Sequence, residues 1–218
     1  MQSLVARGLT VVNPRRKEGI REAVAREAAH LLYLRLEKEY INAKRKAAQT
    51  LGVTILPSNQ EVAEELDRMA DEVEGRERAE RLLRLRREAL RIMSALRDFD
   101  PRLVGSVWRG TARRGSDIDI YVYSRDPGEV SKRLRETGFE VLATERRSKA
   151  QGELARSYLH IYLTPKIEGA EIVVKDPSEA GEAETCAIYG DPIVGLTARD
   201  LGRLIREEPF RRYTPKKK

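Results

Sequence analysis

The chain has 218 residues, a formal net charge of +7 and a sequence pI near 9.6, and is long enough to bury one good core or two small ones without cross-links. Its single cysteine, Cys186, excludes a disulfide framework and a cysteine-built zinc site and fits a reducing compartment, so a cytoplasmic address is expected. No apolar run approaches the roughly 18 residues of a membrane helix, and the opening MQSLVARGLTVVNPRRK lacks the order and cleavage site of a signal peptide; a soluble, unprocessed chain with no membrane partner is expected.

From about 17 to 51 apolar residues recur at helical spacing (Val24, Ala28, Leu31, Leu32, Tyr40, Ile41), and LGVTILPSN then breaks the pattern. Ser58 stands three residues before Glu61, a capping-box pattern, and Val62, Leu66, Met69 and Val73 follow as one stripe until Gly75. A third helix is expected over about 76 to 96, with Leu82, Leu85, Ala89, Ile92, Met93 and Leu96 on one side. After Asp98 the signal changes to short runs rich in β-branched and aromatic residues: RLVGSV, SDIDIYVYS, FEVLAT, SYLHIYLT and AEIVV. One amphipathic helix, PGEVSKRLRETG, separates the second run from the third, and a final helix is expected from Thr197, capped by that hydroxyl with Asp200 in its first turn. The expectation is an α+β (mixed) fold: a helical domain over 1–98, then a small mixed sheet with flanking helices over 99–218 that ends in a flexible basic tail.

Basic runs (NPRRK, AKRKAA, RLLRLRREALR, FRRYTPKKK) can attract nucleic acid or nucleotide phosphates, or can be solvated helix faces. High charge with few Asn and Gln also fits a heat-adapted protein.

The chemistry gathers in GSVWRGTARRGSDID. Residues two apart in a strand face the same way, so Asp117 and Asp119 share one face while Ile118, Ile120 and Val122 share the other. Two carboxylates held that close repel unless a proton or a cation intervenes, and hard oxygen donors favour Mg²⁺ or Mn²⁺, which completes its shell with water and substrate phosphates. Upstream, Gly105 lets the backbone approach a ligand, Ser106 offers a hydroxyl and an N–H, and Arg109 offers a forked cation. Thr111 stands where a P-loop would need its lysine, so that motif is excluded. His160 reads as a packed residue or a triphosphate contact, Trp108 as core or as a base-stacking ring, and Arg113 and Arg114 as a solvated turn or as phosphate contacts.

G-S-x-x-R-G-T followed by S-D-I-D-I, with eleven residues from Gly105 to Ser116, resembles the signature of the DNA polymerase beta nucleotidyltransferase superfamily, and within it the archaeal type of CCA-adding enzyme and the small archaeal nucleotidyltransferase-domain proteins. The resemblance covers roughly 98 to 176 and implies a sheet with three carboxylates, two metal ions and a nucleoside triphosphate. It assigns the metal pair to Asp117 and Asp119. Glu171, which opens a β-branched run, is taken as the third catalytic and metal-binding acid, although Asp is more usual there, and Asp176 is the alternative. Gly105, Ser106, Arg109 and Ser116 are the implied nucleotide contacts. The implied activity is transfer of a nucleoside monophosphate to a hydroxyl, with an RNA 3′ end as the first acceptor. The other readings are transfer to a protein or small-molecule hydroxyl, and a non-catalytic module that binds RNA or nucleotide.

Overall fold

The computed structural model of the chain describes residues 14–151, 154–164 and 168–215, and its packing divides into two units, one ending at Met69 and the other beginning at Ala70. In the first, α1 (Pro14–Tyr33) and α2 (Tyr40–Thr50) pack with the opening turns of α3 (Asn59–Ala95). Small residues make this contact: Ala25, Ala28 and Ala29 of α1 and Ala43, Ala47 and Ala48 of α2 are buried beside Val24, Leu32, Val62 and Leu66, which lets the helices approach closely. The single helix expected over about 17 to 51 is therefore two. After Tyr33 the chain turns through Arg35 in the left-handed conformation (φ 58°), and the Leu36 N–H donates to the Leu31 carbonyl (2.9 Å). No Gly or Pro marks this turn, so apolar spacing alone runs straight through it.

α3 opens on the expected capping box, in which Ser58 Oγ accepts from the Glu61 N–H (3.1 Å) and Glu61 Oε2 accepts from the Ser58 N–H (2.6 Å). Helical geometry is interrupted at Gly75 (φ 49°, ψ −128°), where the second and third helices were expected to part.

In the second unit a five-stranded sheet has the order β1-β2-β5-β4-β3, built from β1 (Arg102–Val104), β2 (Ile118–Tyr123), β3 (Val141–Gln151), β4 (Leu154–Leu163) and β5 (Ala170–Lys175). β2 and β5 run parallel, and the other neighbours are antiparallel. Alternation decides its faces: Ile118, Ile120 and Val122 are fully buried while Asp119, Tyr121 and Tyr123 are half-buried. The apolar face joins Ile161, Ile172 and Val174 to the α3 stripe Leu82, Leu85, Ala89, Ile92, Met93 and Leu96. Residues 70–98 thus pack with the sheet, and packing divides the chain earlier than the change in composition at 98 does. α5 (Pro127–Glu136) adds Val130 and Leu134 to the same core, and α6 (Ala198–Glu207) adds Leu201 and Leu204. Thr197 caps α6 as expected, its Oγ1 accepting from the Asp200 N–H (3.1 Å).

Two local expectations change. The run RLVGSV is a strand only to Val104, because Gly105 takes a positive φ (67°) and starts the short helix α4 (Gly105–Arg109). The C-terminal stretch is docked through Tyr213: the Tyr213 N–H donates to the Arg109 carbonyl (2.9 Å), and Arg212 pairs with Asp71 (2.8 Å). Among the described residues no helix is long and apolar enough to cross a membrane.

Ile120 is fully buried at the centre of this core, so Ile120→Ala is expected to cost about 2–5 kcal/mol, measured by urea unfolding followed by circular dichroism. A loss below about 1 kcal/mol would contradict the packing assigned to β2.

Candidate active site

The polar face of the sheet collects the acids by register. Val104 pairs with Asp119, Asp119 with Glu171, and Glu171 with Tyr162, so these four lie in one row across β1, β2, β5 and β4. Neighbouring strands are ~4.8 Å apart, which brings Asp119 and Glu171 side by side. Asp117 precedes β2 by one residue, and the Ile118 N–H donates to the Gly169 carbonyl (2.9 Å), fixing where β2 meets β5. Asp176 lies five residues beyond Glu171 along β5, about 16 Å away at the rise of a strand. There it caps a 3₁₀ turn, accepting from the Ser178 N–H (2.9 Å). The acid beside the pair is Glu171.

Repulsion is written into this row. At ~5 Å and an effective dielectric constant near 20, two carboxylate charges oppose each other by roughly 3 kcal/mol. Burial, with the charges of Glu171 and Asp117, pushes Asp119 from its ordinary 3.8 up to about 7. Glu171 is steadied from the far side: the Tyr162 hydroxyl donates to its Oε1 (2.8 Å), His160 Nδ1 stands 2.7 Å from the same oxygen, and Arg147 Nη1 lies 3.7 Å away. Burial and the bond to Glu171 raise Tyr162 to about 12, so it remains a donor across the working pH range. His160 is thus a partner of Glu171, and Tyr162 is the site residue that sequence reasoning missed. Both lie on one face of β4 by simple alternation, but only the β4–β5 register brings them to Glu171.

On the other side of Asp119, Gly105 is required by space. A β-carbon there would overlap Asp119 Oδ2 and stand 2.8 Å from its Cγ, so only glycine lets the turn after β1 lie against the acid. Ser106, the second residue of α4, is half-buried, and its carbonyl accepts from the Thr111 N–H (3.0 Å). Ser116 closes the turn before the acids, its Oγ accepting from the Arg113 N–H (3.0 Å). The Arg114 N–H donates to the buried carboxylate of Glu74 (3.0 Å), tying that turn to α3.

Arg109 departs from the expected phosphate clamp. Its side chain is 5% exposed, Nη2 and Nη1 pair with the two oxygens of Asp191 (2.7 and 3.1 Å), and Nη1 also donates to the Tyr213 carbonyl (2.8 Å). With both carboxylate oxygens and a carbonyl on it, the buried fork is engaged inside the protein. Trp108 is core as well, 5% exposed and stacked on Tyr213 with centroids 6.4 Å apart.

Hard oxygen donors of this kind suit a divalent cation: Asp119 stands beside Glu171 in the register, and the charges of Glu171 and Asp117 both act on it. Among the described residues no three His, Cys, Asp or Glu side chains stand in ready coordinating geometry.

A family model described as a nucleotidyltransferase domain matches residues 86–175, a span that holds α4, β2 and Glu171. No curated protein matches the chain. A solved structure of a cytoplasmic RNA terminal U-transferase is similar at 21% identity and a TM-score of 0.26, covering 54% of this chain and 34% of that one; the chain spans about a third of its length.

The raised Asp119 makes a prediction that needs no activity assay. Between 3.8 and about 7 the folded protein holds a proton that the unfolded chain has lost, so stability falls as pH rises through that window. In metal-free buffer Asp119→Asn is expected to raise the melting temperature by several degrees at pH 8 and by much less at pH 5. Equal shifts at both pH values would remove the repulsion from the account.

Proposed function

We propose that the nucleotidyltransferase domain carried by this chain moves a nucleoside monophosphate from a nucleoside triphosphate to a hydroxyl at an RNA 3′ end, releasing pyrophosphate. The observation that carries the reading is the row itself: Val104, which leads into the Gly105 and Ser106 turn, then Asp119, then Glu171, in consecutive positions across the sheet. Gly105 and Ser106 would present backbone N–H groups and a hydroxyl to the triphosphate, with Ser116 holding the turn that delivers Asp117. Asp117, Asp119 and Glu171 would hold two Mg²⁺ or Mn²⁺ ions. Mg²⁺ usually takes only one or two protein carboxylates and completes its shell with water and phosphate oxygens, so a ready three-acid cage is not required. Such ions neutralise the acids, bind the triphosphate and lower the pKa of an attacking hydroxyl.

The chain's own contribution is position. Val104 and Gly105 set the donor side of Asp119, while Tyr162 and His160 hold Glu171 on the other side, where an acceptor hydroxyl would arrive and give up its proton. Phosphoryl transfer asks little covalent work of a protein, so fixed geometry and charge neutralisation account for most of the rate. The net charge of +7 favours a polyanionic acceptor over a neutral one. Arg109 is placed outside the triphosphate contacts because Asp191 already holds its fork.

The test is incubation with each labelled nucleoside triphosphate, Mg²⁺ or Mn²⁺, and a pool of short RNAs. Lengthened RNA supports the reading, label on a protein or small hydroxyl compound moves the acceptor, and RNA retention without any label removes catalysis. Asp119→Ala is expected to lower transfer at least about a thousandfold with an unchanged circular dichroism spectrum, and transfer near the wild-type rate would remove the metal site.

A further inference from the structure

We infer that Arg109 and Arg86 are positioning residues, gripped by the C-terminal segment so that α4 presents the Gly105 and Ser106 turn to nucleotide; this rests on the nucleotidyl-transfer reading. Arg86, on α3, is fully buried and faces backbone carbonyls on both sides. Its Nε and Nη2 donate to Val107 and Trp108 (3.2 and 3.1 Å), carbonyls of α4 left without helical partners, while Nη1 and Nη2 donate to Pro209 and Arg211 (2.7 and 2.9 Å) of the docked C-terminal stretch. One guanidinium therefore fastens α4 to residues 209–211. A five-residue helix cannot hold itself.

Arg109 makes the second fastening. Its guanidinium lies between the rings of Trp108 (4.5 Å) and Tyr189 (4.6 Å) and is forked onto Asp191. Asp191 is delivered by a tight loop in which Thr185 bridges Pro192, the Ile193 N–H donates to the Glu184 carbonyl (2.7 Å) and the Cys186 N–H to the Asp191 carbonyl (2.8 Å). The Arg109 backbone is held as well, since its carbonyl accepts from the Tyr213 N–H. Gly110 lets the layers close: at φ 75° a β-carbon there would stand 2.7 Å from the Arg211 carbonyl oxygen and 3.2 Å from Arg86 Nη2. These contacts fall on Val107, Trp108, Arg109 and Gly110, while Asp119 meets the other end of α4 at Gly105. The consequence is that α4 cannot tilt, and the turn at its start stays against the acid.

Asp191→Asn tests this without emptying the loop. It is expected to speed amide hydrogen exchange over 105–112 in the nucleotide-free protein, with exchange in β4 and β5 unchanged. It is also expected to raise the KM for nucleoside triphosphate about tenfold while kcat changes less than about threefold, the pattern of lost uniform binding. Asp191→Glu, which keeps the charge, should restore most of the affinity; Arg109→Lys, which lacks the fork, should not. Unchanged exchange, faster exchange with unchanged KM, or an equal fall in kcat and kcat/KM would each overturn the inference. If the wild-type protein binds no nucleoside triphosphate, the nucleotidyl-transfer reading fails and the positioning role fails with it, whereas a failed exchange result leaves that reading standing.

Discussion

The parallel pairing of β2 with β5 sets Asp119 beside Glu171, and the buried Ile118, Ile120 and Val122 leave that register no freedom. A slip of one residue would turn the isoleucines to the polar face and the acid into the core. The apolar face is thus what forces like charges together, because hydrophobic burial over the whole sheet outweighs a repulsion of a few kcal/mol at one row. The surrounding features serve that juxtaposition: glycine at 105 to make room for the acid, Tyr162 and His160 to hold the second one.

A second constraint is a cation inside the fold. Among the described residues Arg86 bonds carbonyls alone, and burial pulls it down to about 10, well above neutral, so it stays charged. An apolar residue of similar volume in this place would remove the cost of burying charge and would leave four carbonyl bonds unmade. What the arginine supplies is direction, since a planar fork has one way to satisfy carbonyls from two segments at once. Arg78 repeats the device nearby, donating to the carbonyls of Ala112 and Thr111 (both 2.9 Å) and pairing with Asp71.

Local signals in the sequence carried α3, α5 and α6, the capping box at Ser58, the cap at Thr197 and the interruption at Gly75, because each rests on residues close along the chain. The motif between Gly105 and Asp119 was legible in the same way. What was not legible depends on partners far along the chain. Asp191 lies 82 residues from the arginine it holds, and no spacing rule connects them, so a fork suited to phosphate was read as a phosphate ligand. The choice between Glu171 and Asp176 was a matter of strand direction: both flank one apolar run, and only parallel pairing with β2 tells which end meets the acids. The turn at Arg35 escaped because helical phase resumes after it without a glycine or proline to mark the gap.

The basic runs show how a charge count can mislead about contacts while remaining right about the field. In RLLRLRREALR, Arg81 bonds Glu74, Arg86 is buried, and Arg91 pairs with Glu88 and lies over the ring of Phe139 (4.1 Å). In the last run Arg211 and Arg212 pair with Glu208 and Asp71. None of this alters the net charge, because each acid was already subtracted in reaching +7, so attraction for a polyanion at distances up to the ~8 Å screening length persists. What falls is the number of cations that can meet phosphates. For any protein that binds a polynucleotide, counterion release follows that smaller number, so a charge count of 42 basic residues overstates what salt dependence would report.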